Sequence, residues 1–400
     1  THNPPTHLPK THLPTYPALP CDFRVRPLPV SSAPSAHLPV EPLGNRPALD
    51  GVRALAIAPV LLYHSAFPQV FQSGRAGVDL FFVLSGFLIT NLLIEEWNRL
   101  GTVEIGRFYA RRALRLAPAM LCVLAFVWGA ALAQGGLGTT PAAMARFTLL
   151  VLTYTNNWAS ALHSTSVPAP LGHFWSLAVE EQFYLVWPWL LVVAFRSRIS
   201  LRALLIILLM STAAFSMWRT VLWEVNHDPF RGVFGTDTRA TGLLIGSSIA
   251  VARHLGMRTS RGFAAILVGA GMVLYVLIIP KPYDLEGWFM LGGLQPVELA
   301  ACMMIIGLTA SSSVPFASVL ESPVFLWLGR RSYALYLWNW PLSLLARATL
   351  PQAPLLSSVL GILCTFAAAE LSFRYLERPV LRLRATVAAR HSQPALLATA

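Results

Sequence analysis

The sequence predicts an all-α integral membrane protein of about ten transmembrane helices plus one re-entrant segment. Three observations carry that prediction. Of 400 residues, 55% are hydrophobic and 12% charged, and a soluble domain carries about twice that charged fraction. The mean hydropathy is +0.57. The apolar residues come in blocks of roughly 18 to 24, long enough to cross a bilayer, and short basic or Pro/Gly-rich joints separate them.

The elements follow in order. Residues 1–46 are rich in Pro, His and Thr, with THLP at 6–9 and again at 11–14. Such a segment buries too little apolar surface to fold and is expected to be a disordered tail. It has no apolar core behind a basic start, so it does not read as a signal peptide. His2, His7, His12 and His37 read as part of that tail rather than as a metal site. A membrane domain is expected over 47–384 and a cytoplasmic tail over 385–400. The spans are placed at 50–67, 76–96, 114–134, 174–195, 201–223, 237–252, 262–280, 288–310, 332–350 and 354–376. Residues 143–158 are apolar but short. Counting them as a span would invert every basic joint after them, so they read as re-entrant or packed on the outer side.

The net charge of +12 does not point to nucleic acid, because the arginines lie between apolar blocks and not along one soluble face. They follow the positive-inside pattern. One set of joints holds Arg99, Arg107, Arg111, Arg112 and Arg115, then Arg196, Arg198 and Arg202, then Arg253, Arg258 and Arg261, then Arg330 and Arg331. The opposite joints hold only Arg75, Arg146, Arg231 and Lys281. Both termini are therefore expected on the cytoplasmic side of the cell membrane. Cys21, Cys122, Cys302 and Cys364 form no CxxC pair and read as packing residues, with no disulfide framework and no metal centre.

Arg53 and His64 bracket the stretch RALAIAPVLLYH, which is uncharged between them. An offset of eleven residues puts both on one helix face, about 16 Å apart along the axis. Ionisable groups inside a span are costly and mark functional sites. Taken alone, Arg53 reads equally as a topology anchor and His64 as a hydrogen-bonded packing residue. Asp79 stands near the outer end of the next span, GVDLFFVLSGFLIT. A simple hairpin would bring it level with His64, where a carboxylate fixes the tautomer and stabilises the imidazolium; the alternative is a cap on the helix start. Ser85 and Gly86 are small residues that let helices approach. In RFYARRALRLAP, Arg112 and Arg115 share a side at i,i+3, and guanidinium groups make forked contacts to phosphate.

In GHFWSLAVEEQFYLVWPW, the spacing puts His173, Glu180, Tyr184 and Trp187 on one face. Adjacent carboxylates Glu180 and Glu181 inside a span line a polar cavity, bind acceptor hydroxyls or pair with an arginine. Asp237 and Arg239, two residues apart, do not face each other on a helix and each bonds elsewhere. In RRSYALYLWNWPL an aromatic belt explains most residues, and Asn339 is the polar exception.

Seven motifs in order resemble the acyltransferase-3 family of integral-membrane O-acyltransferases: LDGVRALA with YH, GVDLFFVLSGFLIT, FYARRALRLAP, FWSLAVEEQFYLVWP, TDTRATGLLIG, GRRSYALYLWNWPL and RYLERPVLR. The resemblance covers about 47–384. It implies transfer of an acyl group, often acetyl, from cytoplasmic acyl-CoA to a hydroxyl of a saccharide or glycosylated acceptor such as a macrolide. The family's Arg-x10-His and Arg-x-x-Arg motifs match Arg53/His64 and Arg112/Arg115. His64 matches the essential histidine, the acidic residue of the second motif falls on Asp79, and the acidic pair falls on Glu180 and Glu181. Asn339 departs from the His that many members carry, and no esterase-like domain is expected after the last span.

The expectation is then explicit. Arg53, Arg112 and Arg115 hold the phosphates of acyl-CoA, a co-substrate and not a resident cofactor. His64, oriented by Asp79, acts as base or as transient acyl carrier, with Glu180 and Glu181 in the catalytic set. His173, Arg239 and Asn339 contact the acceptor. Two other classes compete. A transporter would use His64 and Glu180/Glu181 as a proton relay, although no inverted repeat is visible. A scaffold would leave the arginine mouth beside a buried imidazole unexplained.

Overall fold

The computed structural model describes residues 42–64, 71–133, 139–281, 291–292, 294–310 and 314–379. The expected N-terminal tail, apart from 42–46, and the expected 385–400 tail lie outside the described residues, as does Cys21. Cys122, Cys302 and Cys364 are free thiols.

The described residues are helical throughout, with no strand among them. α1 (Pro47–His64) and α2 (Ala76–Leu100) run antiparallel, and α3 (Ile105–Ala133) follows. α4 (Pro141–Leu152) and α5 (Asn156–Ala161) are short, and a 3-10 turn (Ala169–Phe174) leads into α6 (Trp175–Arg196). Next come α7 (Leu201–Asn226), α8 (Pro229–Phe234), α9 (Thr236–Arg239), α10 (Thr241–His254), α11 (Arg261–Ile278) and α12 (Gln295–Ala310). α13 (Ala317–Leu320), α14 (Pro323–Arg330), α15 (Ser332–Thr349) and α16 (Pro354–Ser372) close the order, with a π-helical turn at Phe373–Glu377. Local chemistry sets many of these ends. The hydroxyls of Thr140, Ser200 and Ser260 accept from main-chain N–H groups three residues on, which caps α4, α7 and α11. Gly101 ends α2 in the left-handed region at φ 66°.

Six helical segments are long and apolar enough to span a bilayer: Ala76–Leu100, Ile105–Ala133, Ala169–Arg196, Leu201–Asn226, Arg261–Ile278 and Pro354–Glu377. The expected count of about ten is not confirmed among the described residues. The other four expected spans fall on α1, α10, α12 and α15. These helices carry groups bonded to other helices rather than to lipid: Asp50 on α1, Ser247 on α10, Glu298 on α12, and Asn339 and Arg347 on α15. α10 and α12 are also short, at 14 and 16 residues. Inner helices tolerate polar and small residues because neighbouring helices satisfy them. By contrast α7 exposes Ile206, Met210, Met217 and Val225, the surface expected of a lipid-facing helix. The segment expected to be re-entrant is α4 with the start of α5, and α4 has only 12 residues.

α2 is the centre of the packing. It crosses α10 at backbone contact: a Cβ added at Gly246 would lie 1.9 Å from the Val83 carbonyl oxygen, and one at Gly86 would lie 2.0 Å from that of Leu243. The register of α1 against α2 is fixed the same way. A Cβ at Gly77 would meet the Ala56 oxygen at 2.0 Å, and one at Gly74 would meet the Pro59 oxygen at 2.4 Å. α15 packs on α16 and on α1, and completes the wall facing α3 and the 3-10 turn.

Candidate active site

A cavity of about 450 Å³ lies among α1, α2, α3, α6 and α15. One end is lined by Arg53, Glu95 and Arg115, its length by Ser85 and Glu180, and its far end by Ser176 and Tyr336. The volume is within the usual range for a ligand pocket.

The arginines differ in what they are free to do. Arg112 is held by Glu181, with Nε at 2.8 and 2.9 Å from the two carboxylate oxygens and a further bond from its terminal nitrogen. Its guanidinium also sits 3.4 Å from the centroid of the Tyr184 ring. Arg53 pairs with Asp50 at 2.5 Å, a partly exposed ion pair on its own helix. Arg115 lines the cavity and is exposed. All three expected phosphate ligands line the cavity, and Arg112 is the one engaged by a forked carboxylate, that of Glu181.

Glu180 is set into the cavity wall by two donors. Ser85 Oγ donates to Glu180 Oε1 at 2.5 Å and Tyr184 Oη donates to it at 2.6 Å. The hydroxyl proton of Ser85 is directed at that carboxylate, so the structure builds no nucleophile elbow at Ser85. Glu180 and Tyr184 share a face, as their spacing predicts. His173 does not join them, because the 3-10 turn rotates it away from the α6 register. Trp187 instead donates to Thr90 at 2.7 Å.

At the far end the Tyr336 hydroxyl donates to the His173 carbonyl oxygen at 2.7 Å. Its single proton is thereby used, so Ser176 Oγ is the donor in the 2.5 Å contact between Ser176 and Tyr336. The His173 ring packs 5.6 Å from the Tyr336 ring, and both of its nitrogens are buried without a hydrogen-bond partner. The Ser176–Tyr336 link could not be read in advance, because a serine and an aromatic residue 160 positions apart carry no pairing signal.

His64 lies one turn of α15 beyond Tyr336. Its Nδ1 is 3.0 Å from Asn339 Oδ1, and Trp340 packs on the ring at 4.7 Å between centroids. Arg347 donates to the His64 main-chain oxygen; that arginine was not among the expected site residues. Asp79 is not the partner of His64. It pairs with Arg239 at 2.7 Å, with both side chains nearly inaccessible. The helix register explains the difference. Gly77 abuts Ala56, so Asp79 lies about 12 Å or more along α1 from His64. Arg239 accordingly sits in an ion pair beside Phe82 and Trp175, and not at an acceptor surface. Asp237 binds Arg231 and Trp218, so Asp237 and Arg239 do bond separately.

An arginine-lined cavity whose wall includes Tyr336, one turn of α15 from the Asn339–His64 contact, agrees with a match found at the level of family. The model of an acyltransferase domain, acyltransferase-3, matches residues 46–372. The chain belongs to the acyltransferase-3 family. Similar acyltransferase-3 relatives include "Peptidoglycan O-acetyltransferase OatA" of Listeria monocytogenes, 33% identical over 84% of this chain and 55% of the relative. "O-acetyltransferase OatA" of Staphylococcus aureus strain NCTC 8325 is 32% identical over 84% of this chain and 57% of the relative. The chain thus spans a little over half the length of the curated relatives it matches. No solved structure matches it.

Proposed function

We propose that the chain is a membrane O-acetyltransferase that moves an acetyl group from acetyl-CoA to a saccharide hydroxyl, with His64 as the proton acceptor. The observation that carries this reading is the cavity lined by Arg53, Arg115, Ser85, Glu180 and Tyr336, with His64 held by Asn339 one turn of α15 beyond Tyr336. A cationic mouth suits the phosphates of CoA. The mixed lining, with Phe81, Phe82 and Ile89 beside Ser85 and Glu180, suits the pantetheine arm. The relatives' names supply the acceptor class, a glycan of the peptidoglycan type.

In this reading Arg115 and Arg53 bind phosphate from the cytoplasmic side, and both chain termini lie on that side. The acetyl end passes the Tyr336–Ser176 pair. Nε2 of His64 takes the proton of the acceptor hydroxyl, and the oxygen attacks the thioester carbonyl. The new C–O bond forms as the C–S bond breaks, and CoA leaves as the thiolate and then as the thiol on taking up a proton. Arg112, Glu181, Asp79 and Arg239 act by holding the walls.

The test uses the purified chain in lipid nanodiscs, acetyl-CoA and a soluble peptidoglycan fragment, with release of CoA thiol and acetylated product as readouts. His64→Ala should lose at least about a hundredfold in kcat, the usual contribution of a general base. Full turnover by His64→Ala would remove His64 from the reaction.

A further inference from the structure

Asn339 is 1% exposed, in the middle of α15, and its side chain has one hydrogen-bond partner among the described residues, the Nδ1 of His64 at 3.0 Å. The amide nitrogen of the same side chain is buried without a partner among the described residues. A carboxamide that belonged to a structural network would have both ends bonded, because an unsatisfied buried polar group is costly. Here the carboxamide oxygen addresses the imidazole alone. An amide oxygen can only accept, so Nδ1 carries the ring proton and Nε2 keeps its lone pair.

The remaining contacts fix the ring. Trp340 packs on it at 4.7 Å and Tyr63 meets it edge-on at 5.4 Å. Arg347 ties down the His64 carbonyl at the last turn of α1. The charged and titratable groups facing the ring are Arg75 ahead of α2, Arg347 on α15, and His173 on the 3-10 turn. No carboxylate among the described residues faces it. The imidazole itself is only partly buried, which leaves an edge open to a substrate.

We propose that Asn339 is a positioning residue for the transfer reaction: its Oδ1 holds His64 in the Nδ1–H tautomer and aims Nε2 at the acceptor hydroxyl. This rests on the assignment of His64 as proton acceptor. It also accounts for the unused Asp79. The orienting function expected of that carboxylate belongs to a neutral amide from a different helix.

The test compares Asn339→Leu and Asn339→Asp in nanodiscs, with acetyl-CoA and the peptidoglycan fragment, as kcat and KM across pH. Asn339→Leu leaves the ring unpinned and should lower kcat at least about tenfold, since a wrong tautomer disables a base, with KM for acetyl-CoA unchanged. Asn339→Ala carries the same expectation if the leucine variant is not recovered from membranes. Asn339→Asp keeps the accepting oxygen and adds a charge. It should retain plateau kcat and move the acid limb of the profile to higher pH by about one unit, because a carboxylate beside an imidazole favours the protonated ring. Unchanged kcat in both Asn339→Leu and Asn339→Ala, or an Asn339→Asp variant as impaired as the leucine variant with its acid limb unmoved, would overturn the proposal. His64→Ala run beside them separates the two ideas. If it is inactive while Asn339→Leu is normal, only the role of Asn339 fails; if it is fully active, the base assignment fails first.

Discussion

Arg112 and Glu181 join α3 to α6 through a forked ion pair that spans 69 positions of sequence, and the guanidinium lies flat over Tyr184. The pair is largely withdrawn from solvent, with side-chain exposures of 21% and 11%. Arg112→Ala strands the Glu181 carboxylate and should cost about 3–5 kcal/mol of stability. Arg112→Lys should not restore it, because an ammonium cannot make the fork. Thermal unfolding in detergent checks both. A normal melting temperature for Arg112→Ala would show the pair to be dispensable.

Arg115 should behave differently. It lines the cavity mouth and is exposed, so Arg115→Ala should leave the melting temperature unchanged. It should raise the apparent KM for acetyl-CoA about tenfold, the scale of one charge-assisted contact. Arg53→Ala should have the smaller effect, since Asp50 already competes for that guanidinium. Salt titrations of KM check the electrostatic origin, because each lost arginine should flatten the dependence.

The Asp79–Arg239 pair predicts a stability phenotype. Both side chains are nearly inaccessible, so Asp79→Ala leaves a buried arginine without its 2.7 Å partner and should cost about 3–5 kcal/mol. The folded fraction, isolated by size exclusion, should turn over at a near-normal kcat with a normal pH profile. A normal melt combined with lost turnover and a displaced acid limb would instead return Asp79 to His64's chemistry.

Gly246 offers a sign test. In an ordinary helix Gly→Ala gains about 1 kcal/mol. At this crossing the added methyl would meet the Val83 carbonyl oxygen at 1.9 Å, so Gly246→Ala should destabilise. Gly262, whose added Cβ meets nothing within 4 Å, is the matched control and should not be destabilised by the same change. Equal melting temperatures for Gly246→Ala and the wild-type chain would mean that the two helices part at no cost.

Much of this could be read from composition and motif. The helical membrane class, the Arg53/His64 face and the acidic pair on α6 all follow from period and from the cost of charge in lipid. The pairing of charges could not be read. Nothing local distinguishes Arg112, which Glu181 neutralises, from Arg115 three residues later, because the distinction is made by a helix 69 positions away. The Asp79 error has the same origin. A simple hairpin would set the two at equal depth, but Gly74 and Gly77 fix α1 and α2 in a register that carries Asp79 past His64 toward Arg239. Four of the expected spans continue the apolar rhythm, while their polar residues answer to protein neighbours.

The glycine crossing of α2 and α10 bears on which side of the cavity can be remodelled. Phe82, Ser85 and Ile89 project from α2 into the cavity, while Val83 and Gly86 on the same helix rest main chain to main chain on α10. Atoms in van der Waals contact have no slack to give. That wall is therefore a fixed anvil. Any relative that accommodates a bulkier acyl group must find its room by trimming side chains on α3, α6 or α15, the movable jaw of the same vice.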